Sequence, residues 1–181
     1  LGENSQLASR IIAGVGVAYG NSIEMPYIKQ FFIGGTNSIR AFRARSIGPG
    51  HFDVRTLDSD FLPDQSGDAK LEFSTEYRAK LYSVVHGALF LDAGNIWLQR
   101  DDPERPGARL TNRFLNDLAV GTGAGLRVDL SFLVLRLDLA FPLRVPYLPD
   151  GQKWVGDRIA FGNPDWRRDN LVLNIAIGYP F

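Results

Sequence analysis

The stretch KLEFSTEYR, residues 70–78, changes the character of its side chain at almost every step. Lys70, Glu72, Ser74, Glu76 and Arg78 form one series, and the other series is Leu71, Phe73, Thr75 and Tyr77. Successive side chains of a β-strand point to opposite faces. The stretch is therefore predicted to be a strand with one polar face and one largely apolar face.

Similar alternation of apolar with polar or small residues predicts six strands in the chain. Their expected ranges are 7–19, 69–79, 85–98, 117–129, 132–143 and 170–181. Short connections alternate with long ones, which are expected at 20–67, 99–116 and 144–169. Strands of about ten residues with this spacing are typical of transmembrane β-barrels, which have short turns at one end and long loops at the other. We therefore predict an all-β fold, an antiparallel transmembrane barrel.

Aromatic residues near the expected strand ends are consistent with that prediction, because barrels carry aromatic girdles at both membrane interfaces. These residues are Tyr19, Tyr77, Trp97, Tyr179 and Phe181. The alternative is a soluble β-sandwich in which each strand buries one apolar face.

Composition excludes several classes of protein and site. Lysine and arginine number 20, as do aspartate and glutamate, so net charge gives no general reason to expect a nucleic-acid partner. The absence of cysteine excludes disulfides and thiolate metal sites. No apolar run is long enough for a spanning helix. The chain begins at Leu1 without an initiator methionine or a visible signal peptide, so we expect processing or truncation upstream.

A second informative stretch is FFIGGTNSIRAFRARSIGPG, residues 31–50. Its glycine pair and its closing Gly-Pro-Gly predict a loop, yet the loop carries apolar residues and Arg40 between Ile39 and Ala41. A solvated loop rarely needs both features. We predict that this loop folds inward and brings Arg40 to acidic partners elsewhere in the chain.

Several motifs resemble a known family, and the resemblance covers residues 10–181. They are the stretch 31–49, Glu76-Tyr77-Arg78, the run LFLDAGNIW at 89–97, RLDLAFPL at 136–143, and the terminal Phe181. The chain is similar to the C-terminal barrel segment of the BamA/TamA outer-membrane insertase family, also called the bacterial surface antigen family. That resemblance implies the last six or so strands of a larger barrel of about 16 strands.

The resemblance also implies a loop lock. In the family, a Val-Arg-Gly-Phe tetrapeptide enters the barrel lumen and its arginine meets acidic residues of the following strands. The matching positions are Ile39, Arg40, Ala41 and Phe42. The implied acidic partners are Glu76 and Asp92, with Glu72 on the same face as a reserve candidate. Two interpretations stay open: Arg40 only pins the loop, or by pinning it fixes the barrel's shape.

One departure from the family pattern lies within the lock. Ala41 stands where the family has glycine, which raises the question of whether the backbone there needs a positive φ. Ala41 and the wording Asn37-Ser38-Ile39 favour the TamA-like side of the family over the BamA-like side.

By resemblance, the expected function is not enzymatic. Such a barrel in the bacterial outer membrane assists insertion, assembly or export of β-rich outer-membrane or surface proteins, through a seam beside its last strand. Residues 171–181 resemble that strand, with Tyr179 and Phe181 as a terminal signal. Expected partners are the lipid bilayer, client proteins, the remaining barrel strands, and periplasmic domains or accessory subunits. The alternatives are a barrel that anchors or exports an upstream enzyme domain, and a passive structural or pore barrel.

Other candidate sites have simpler interpretations, and no metal or cofactor is expected. Asp58, Asp60, Asp64 and Asp68 lack the glycine and closing glutamate of a calcium loop. Gly121, Gly123 and Gly125 alternate within a strand and are expected to be small residues at close contacts. His51 and His86 belong to no recognisable catalytic or zinc pattern. Arg167 and Arg168 are expected at the surface, where they could meet lipopolysaccharide head groups.

Overall fold

A computed structural model describes residues 4–21, 25–57 and 64–181, which form one six-stranded antiparallel sheet in the order β1-β2-β3-β4-β5-β6. The strands are β1 (Ser5–Val15), β2 (Ala69–Tyr82), β3 (Val85–Trp97), β4 (Ala119–Asp129), β5 (Val134–Arg144) and β6 (Val172–Ile177). One short helix, α1 (Pro164–Asn170), precedes β6, and four 3-10 turns lie at Tyr27–Lys29, Val54–Thr56, Phe114–Asp117 and Gly156–Arg158. The prediction of an all-β antiparallel fold is confirmed.

Two strand ends differ from the sequence prediction. β1 ends at Val15, which pairs with the first residue of β2, Ala69, so the alternation beyond Val15 has no partner strand among the residues that the structure describes. β6 begins late because residues 164–170 form α1, whose first turn is capped by the Asn163 side chain. It ends early, at Ile177, because Gly178 adopts a positive φ of 87°.

The two faces of the sheet have opposite chemistry. The face that we call inner carries polar side chains that are almost fully buried, including Glu76, Asp92 and Arg127. The outer face carries exposed apolar side chains: Ile11 is 71% exposed and Leu89 is 63% exposed. A polar interior with an apolar exterior is the pattern of a membrane barrel wall. The alternative of a soluble sandwich is wrong, because the described residues form one sheet and leave its apolar face open.

Loop 31–50 covers the inner face. Its apolar side chains form the main hydrophobic cluster with residues of the sheet and of the connection after β5. The buried members are Ile33, Ile39, Ala41, Phe42, Ile47, Phe90, Ile96, Ala119, Ala140 and Val145. Burial of these groups stabilises the inward position of the loop. No helix in the described ranges is both long enough and apolar enough to cross a membrane.

Trp97 does not belong to an aromatic girdle, contrary to the prediction. It is only 2% exposed, its ring packs edge-on against Phe114, and its Nε1 donates to the Asp117 carboxylate at 3.4 Å. The β3–β4 pairing stops at Gly94 and Ala119. The last residues of β3 therefore extend beyond β4, and the connection between these strands folds over them.

Candidate functional site

The backbone of loop 31–50 makes a compact turn before Arg40. Gly34 and Gly35 have φ values of +93° and +91°, which glycine adopts readily. The Gly34 amide donates to the Ser38 hydroxyl at 3.1 Å, and the Gly35 amide donates to the Phe42 carbonyl at 2.8 Å. These contacts close residues 34–42 on themselves and point the Arg40 side chain at the sheet.

Arg40 lies between Glu76 on β2 and Asp92 on β3. Its Nε and Nη2 donate to the two Asp92 carboxylate oxygens at 2.8 and 2.9 Å, and its Nη1 donates to Glu76 at 2.5 Å. The guanidinium also lies 3.5 Å above the centre of the Phe90 ring. Arg40 is 1% exposed. The structure thus brings together three residues that the sequence analysis selected, with the bidentate geometry that an arginine and a carboxylate prefer.

The ion pairs continue beyond these residues, and we call the whole set the Arg40 network: Arg40, Glu76, Arg78, Asp92, Arg127 and Asp138. Glu76 accepts from Arg78 Nε at 2.7 Å and from Arg127 Nη2 at 2.9 Å. Arg127 on β4 donates in turn to Asp138 on β5 at 2.5 Å. A single connected network therefore spans β2, β3, β4, β5 and the loop.

The sequence analysis missed Arg78, Arg127 and Asp138 as members of the network. Each lies on the polar parity of its strand, so the alternation alone could have placed them on the inner face. What alternation could not supply was the register between strands. In the structure, Asp138 lies opposite Gly125, where the missing side chain leaves room for the carboxylate and for Arg127.

The two acidic partners of Arg40 are not equivalent. Glu76 has three arginine partners, Arg40, Arg78 and Arg127. All the hydrogen bonds that Asp92 accepts through its side chain within the described residues come from Arg40, one of them from its backbone amide at 3.1 Å. The buried charge of Asp92 therefore depends on Arg40, whereas that of Glu76 does not.

Glu72, the reserve candidate, contacts a different part of the loop. It accepts from the Ser38 hydroxyl at 2.7 Å and forms ion pairs with Arg10 at 2.7 Å and Lys70 at 2.8 Å. Its place is therefore beside Ser38 rather than beside Arg40. It links β1 and β2 to the segment just before the arginine.

Ala41 does not need a positive φ. Among the described residues other than glycine, only Arg45, Ser83 and Ser131 have positive φ values. The Ala41 methyl group instead faces Gly121 on β4, where a Cβ atom would collide with it. Ala41 therefore occupies space that a side chain at position 121 would otherwise fill.

Tyr179 and Phe181 lie over the inner face, contrary to the prediction that they belong to an aromatic girdle at the membrane interface. The Arg78 guanidinium lies 4.4 Å from the centre of the Tyr179 ring, and that of Arg10 lies 5.1 Å from the centre of the Phe181 ring. Arg10 also donates to the Pro180 carbonyl at 3.1 Å. The positive φ of Gly178 turns the chain inward after β6. Their role as a terminal signal stays a prediction.

The aspartates considered for calcium do not form a cluster in the described part of the chain. Asp58 and Asp60 lie outside the described residues. Asp64 pairs with Arg45 at 2.7 Å, and Asp68 accepts from the Gln30 side chain and from the Gln99 amide. No group of three or more potential metal-binding side chains occurs within residues 4–21, 25–57 and 64–181.

The remaining candidates have structural contacts of their own. A Cβ on Gly123 would lie 2.6 Å from the Phe90 ring, as expected for a glycine at a close contact. His51 Nδ1 lies 3.1 Å from the Asp117 carboxylate at the loop end of the sheet. Arg168 is exposed between Asp165 and Asp169, and Arg167 donates to the Phe161 carbonyl.

Comparisons with known proteins agree with this geometry. The Omp85 superfamily domain matches residues 1–162 of the chain. The outer membrane protein assembly factor BamA of Neisseria meningitidis serogroup B is 24% identical over 150 residues, which cover 72% of this chain and 18% of that relative. The chain thus spans less than a fifth of the length of the relative. Because the domain match extends over most of its residues, the chain belongs to the Omp85 superfamily.

Proposed function

We propose that this chain forms the C-terminal part of an outer-membrane β-barrel that assists the insertion, assembly or export of β-rich outer-membrane or surface proteins. Its role is positional and not catalytic: client strands pass through a seam beside β6. Membership of the Omp85 superfamily and the similarity to a protein named as an assembly factor support this proposal. The apolar outer face would contact the lipid bilayer of the bacterial outer membrane.

The observation that carries the proposal is the buried contact of Arg40 with Glu76 and Asp92. It attaches the loop to the inner wall at a point where side chains of two strands converge. Because the ion pairs are buried, they depend on one arrangement of loop and strands and so specify that arrangement. The proposed purpose of this lock is to hold the barrel wall in shape while strands exchange at the seam.

The position of β6 supports the location of the seam. β6 lies at an edge of the described sheet, where it pairs with β5 alone. An open sheet edge can pair with an incoming strand. In this proposal, the remaining barrel strands and any periplasmic domains or accessory subunits complete the machinery around this wall.

The test uses the protein as its cell produces it. We expect Arg40→Ala, and the exchange of Arg40→Glu with Glu76→Arg, to reduce the folded fraction of client barrels measured by heat-modifiable gel mobility. The double variant should not restore the lock, because the introduced carboxylate would face Asp92 and the introduced guanidinium would face Arg78 and Arg127. Arg109→Ala, which removes an exposed ion pair with Asp101, is the matched control. Unchanged barrel stability and unchanged client assembly in both lock variants would refute the proposal.

Within the superfamily, our proposal puts the chain on the TamA-like side, on the basis of Ala41 and of Asn37-Ser38-Ile39. The test is complementation of two bacterial strains, one depleted of its BamA and one lacking its TamA. Growth of the first strain alone would contradict the TamA-like assignment.

A further inference from the structure

The inner face of β6 carries one polar side chain, Asn174, between Val172 and Ala176. Asn174 is 5% exposed. Its Nδ2 donates to the main-chain carbonyl of Arg40 at 2.9 Å. β6 is thus hydrogen-bonded directly to Arg40, whose side chain lies at the centre of the Arg40 network.

The neighbouring strand β5 reaches the same loop through Arg136. Its Nη2 donates to the Thr36 carbonyl at 2.6 Å and to the Asn37 side-chain oxygen at 2.7 Å. Arg136 is fully buried, and its Nε lies 3.3 Å from the Asp138 carboxylate. The neighbouring strands β5 and β6 therefore both contact residues 36–40.

These contacts are costly to lose. Within the described part of the chain, Arg136 Nε and Nη1 have no hydrogen-bond partner, so the hydrogen bonds of this buried guanidinium there are those of Nη2 to the loop. Buried donors without partners carry a desolvation penalty that is largest for charged groups. If the loop left the inner face, Arg136 and Asn174 would both lose the loop atoms to which they donate.

We propose that Asn174 and Arg136 couple the loop to strands β5 and β6. Loosening β6 then loosens residues 36–40, and loosening the loop loosens β6. The loop is fixed on its other side by Glu76 and Asp92, on strands β2 and β3. Displacement of β5 and β6 would thus be transmitted to β2 and β3 through residues 36–40. This inference deepens the proposed function, since a seam beside β6 is the place where such displacement would occur.

Coupling between two elements is reciprocal, and the test uses that property. Amide hydrogen exchange is measured on the full protein in lipid nanodiscs. We expect Asn174→Leu, which keeps the side-chain size but removes the donor, to accelerate exchange at residues 36–42 roughly fivefold, the factor for one hydrogen bond of about 1 kcal/mol. Asn37→Ala, which removes one of the two acceptors of Arg136, should accelerate exchange in residues 172–177.

Two further variants keep the experiment decisive. Asn174→Ala introduces no bulk, so it serves where the leucine variant fails to fold. Ile175→Ala truncates a neighbouring side chain that is 63% exposed on the outer face, and it should leave the loop unchanged. Faster exchange in β6 alone, with the loop as in the wild type, would overturn the coupling.

Client assembly is measured on the same variants to separate this inference from the proposed function. Faster exchange in the loop with normal client assembly supports the coupling and contradicts its use at a seam. Impaired client assembly with an unchanged loop overturns the coupling and leaves the proposed function standing.

Discussion

Arg40 and Arg144 are both held in place by several partners, but their partners differ in kind. Arg40 meets two carboxylates from strands far away in the sequence. Arg144, at the end of β5, donates to the backbone carbonyls of Leu115, Asn116 and Leu118 at 3.1, 2.5 and 2.6 Å. One arginine joins distant strands, and the other secures a short connecting segment.

This difference predicts different consequences of removing each side chain. Without Arg40, the buried Asp92 carboxylate loses both of its ion-pair bonds to a side chain. Without Arg144, the exposed segment around Asn116 can direct its carbonyls to water. A buried charge without a partner costs far more free energy than a carbonyl that water can reach.

The largest effect is expected for Arg40→Met, which should lower the free energy of unfolding by about 3–5 kcal/mol. The full protein is unfolded with urea in detergent, and the folded fraction at each urea concentration is measured by heat-modifiable gel mobility. Adding Asp92→Asn should recover part of the loss, because it removes the charge that depends on Arg40. Adding Glu76→Gln should recover nothing, since Glu76 keeps Arg78 and Arg127. Equal recovery by both changes would contradict the unequal roles of the two carboxylates.

The next effect concerns the contact between the loop and β4. Gly121→Ala should destabilise the protein by about 1–3 kcal/mol, because the new methyl group collides with Ala41. Adding Ala41→Gly should restore stability, measured in the same unfolding experiment. Gly123→Ala is the control: its methyl group would meet Leu139, Phe90 and Ala140 instead, so Ala41→Gly should not rescue it.

A smaller and more local effect is expected for Arg144→Met. The loss should be about 1 kcal/mol and should appear as faster proteolysis within residues 111–118. Contacts of the Arg40 network do not involve this segment, so exchange at residues 36–42 should stay as in the wild type. Loosening of that loop in the Arg144 variant would show that the two arginines are not independent.

The smallest effect is expected at the exposed pair of Asp53 and Arg55. The Arg55 guanidinium, 2.8 Å from the carboxylate, lowers the pKa of Asp53. Because the folded pKa lies below the unfolded value of about 3.9, the stabilisation is fully present above that pH and is lost as the pH falls through the lower value. It should amount to less than about 1 kcal/mol. An NMR titration should show the pKa of Asp53 rising towards its ordinary value in Arg55→Met; an unchanged pKa would contradict the assignment.

The face on which the site residues lie could be predicted from local pattern, and the pairing of Arg40 with Glu76 and Asp92 from the family resemblance. Alternation along residues 70–78 placed Glu76 on the polar face, and the apolar residues around Arg40 indicated an inward loop. Asp92 lies on the same parity as Phe90, and both are buried under that loop. Asn174 also had the correct parity, but nothing in its surroundings pointed to the Arg40 carbonyl, since backbone acceptors leave no signal in a sequence.

The sequence by itself determined which residues form strands and which side chains share a face, because a strand's side chains alternate with a period of two regardless of distant contacts. Tertiary structure alone decided the inner contacts that neither local pattern nor the family resemblance indicated. Register set Asp138 opposite Gly125, loop docking brought Ala41 to Gly121, and the connection 98–118 covered Trp97. These contacts join residues far apart in the chain, so their geometry follows from how the whole sheet and its loops pack, and local pattern carries no record of it.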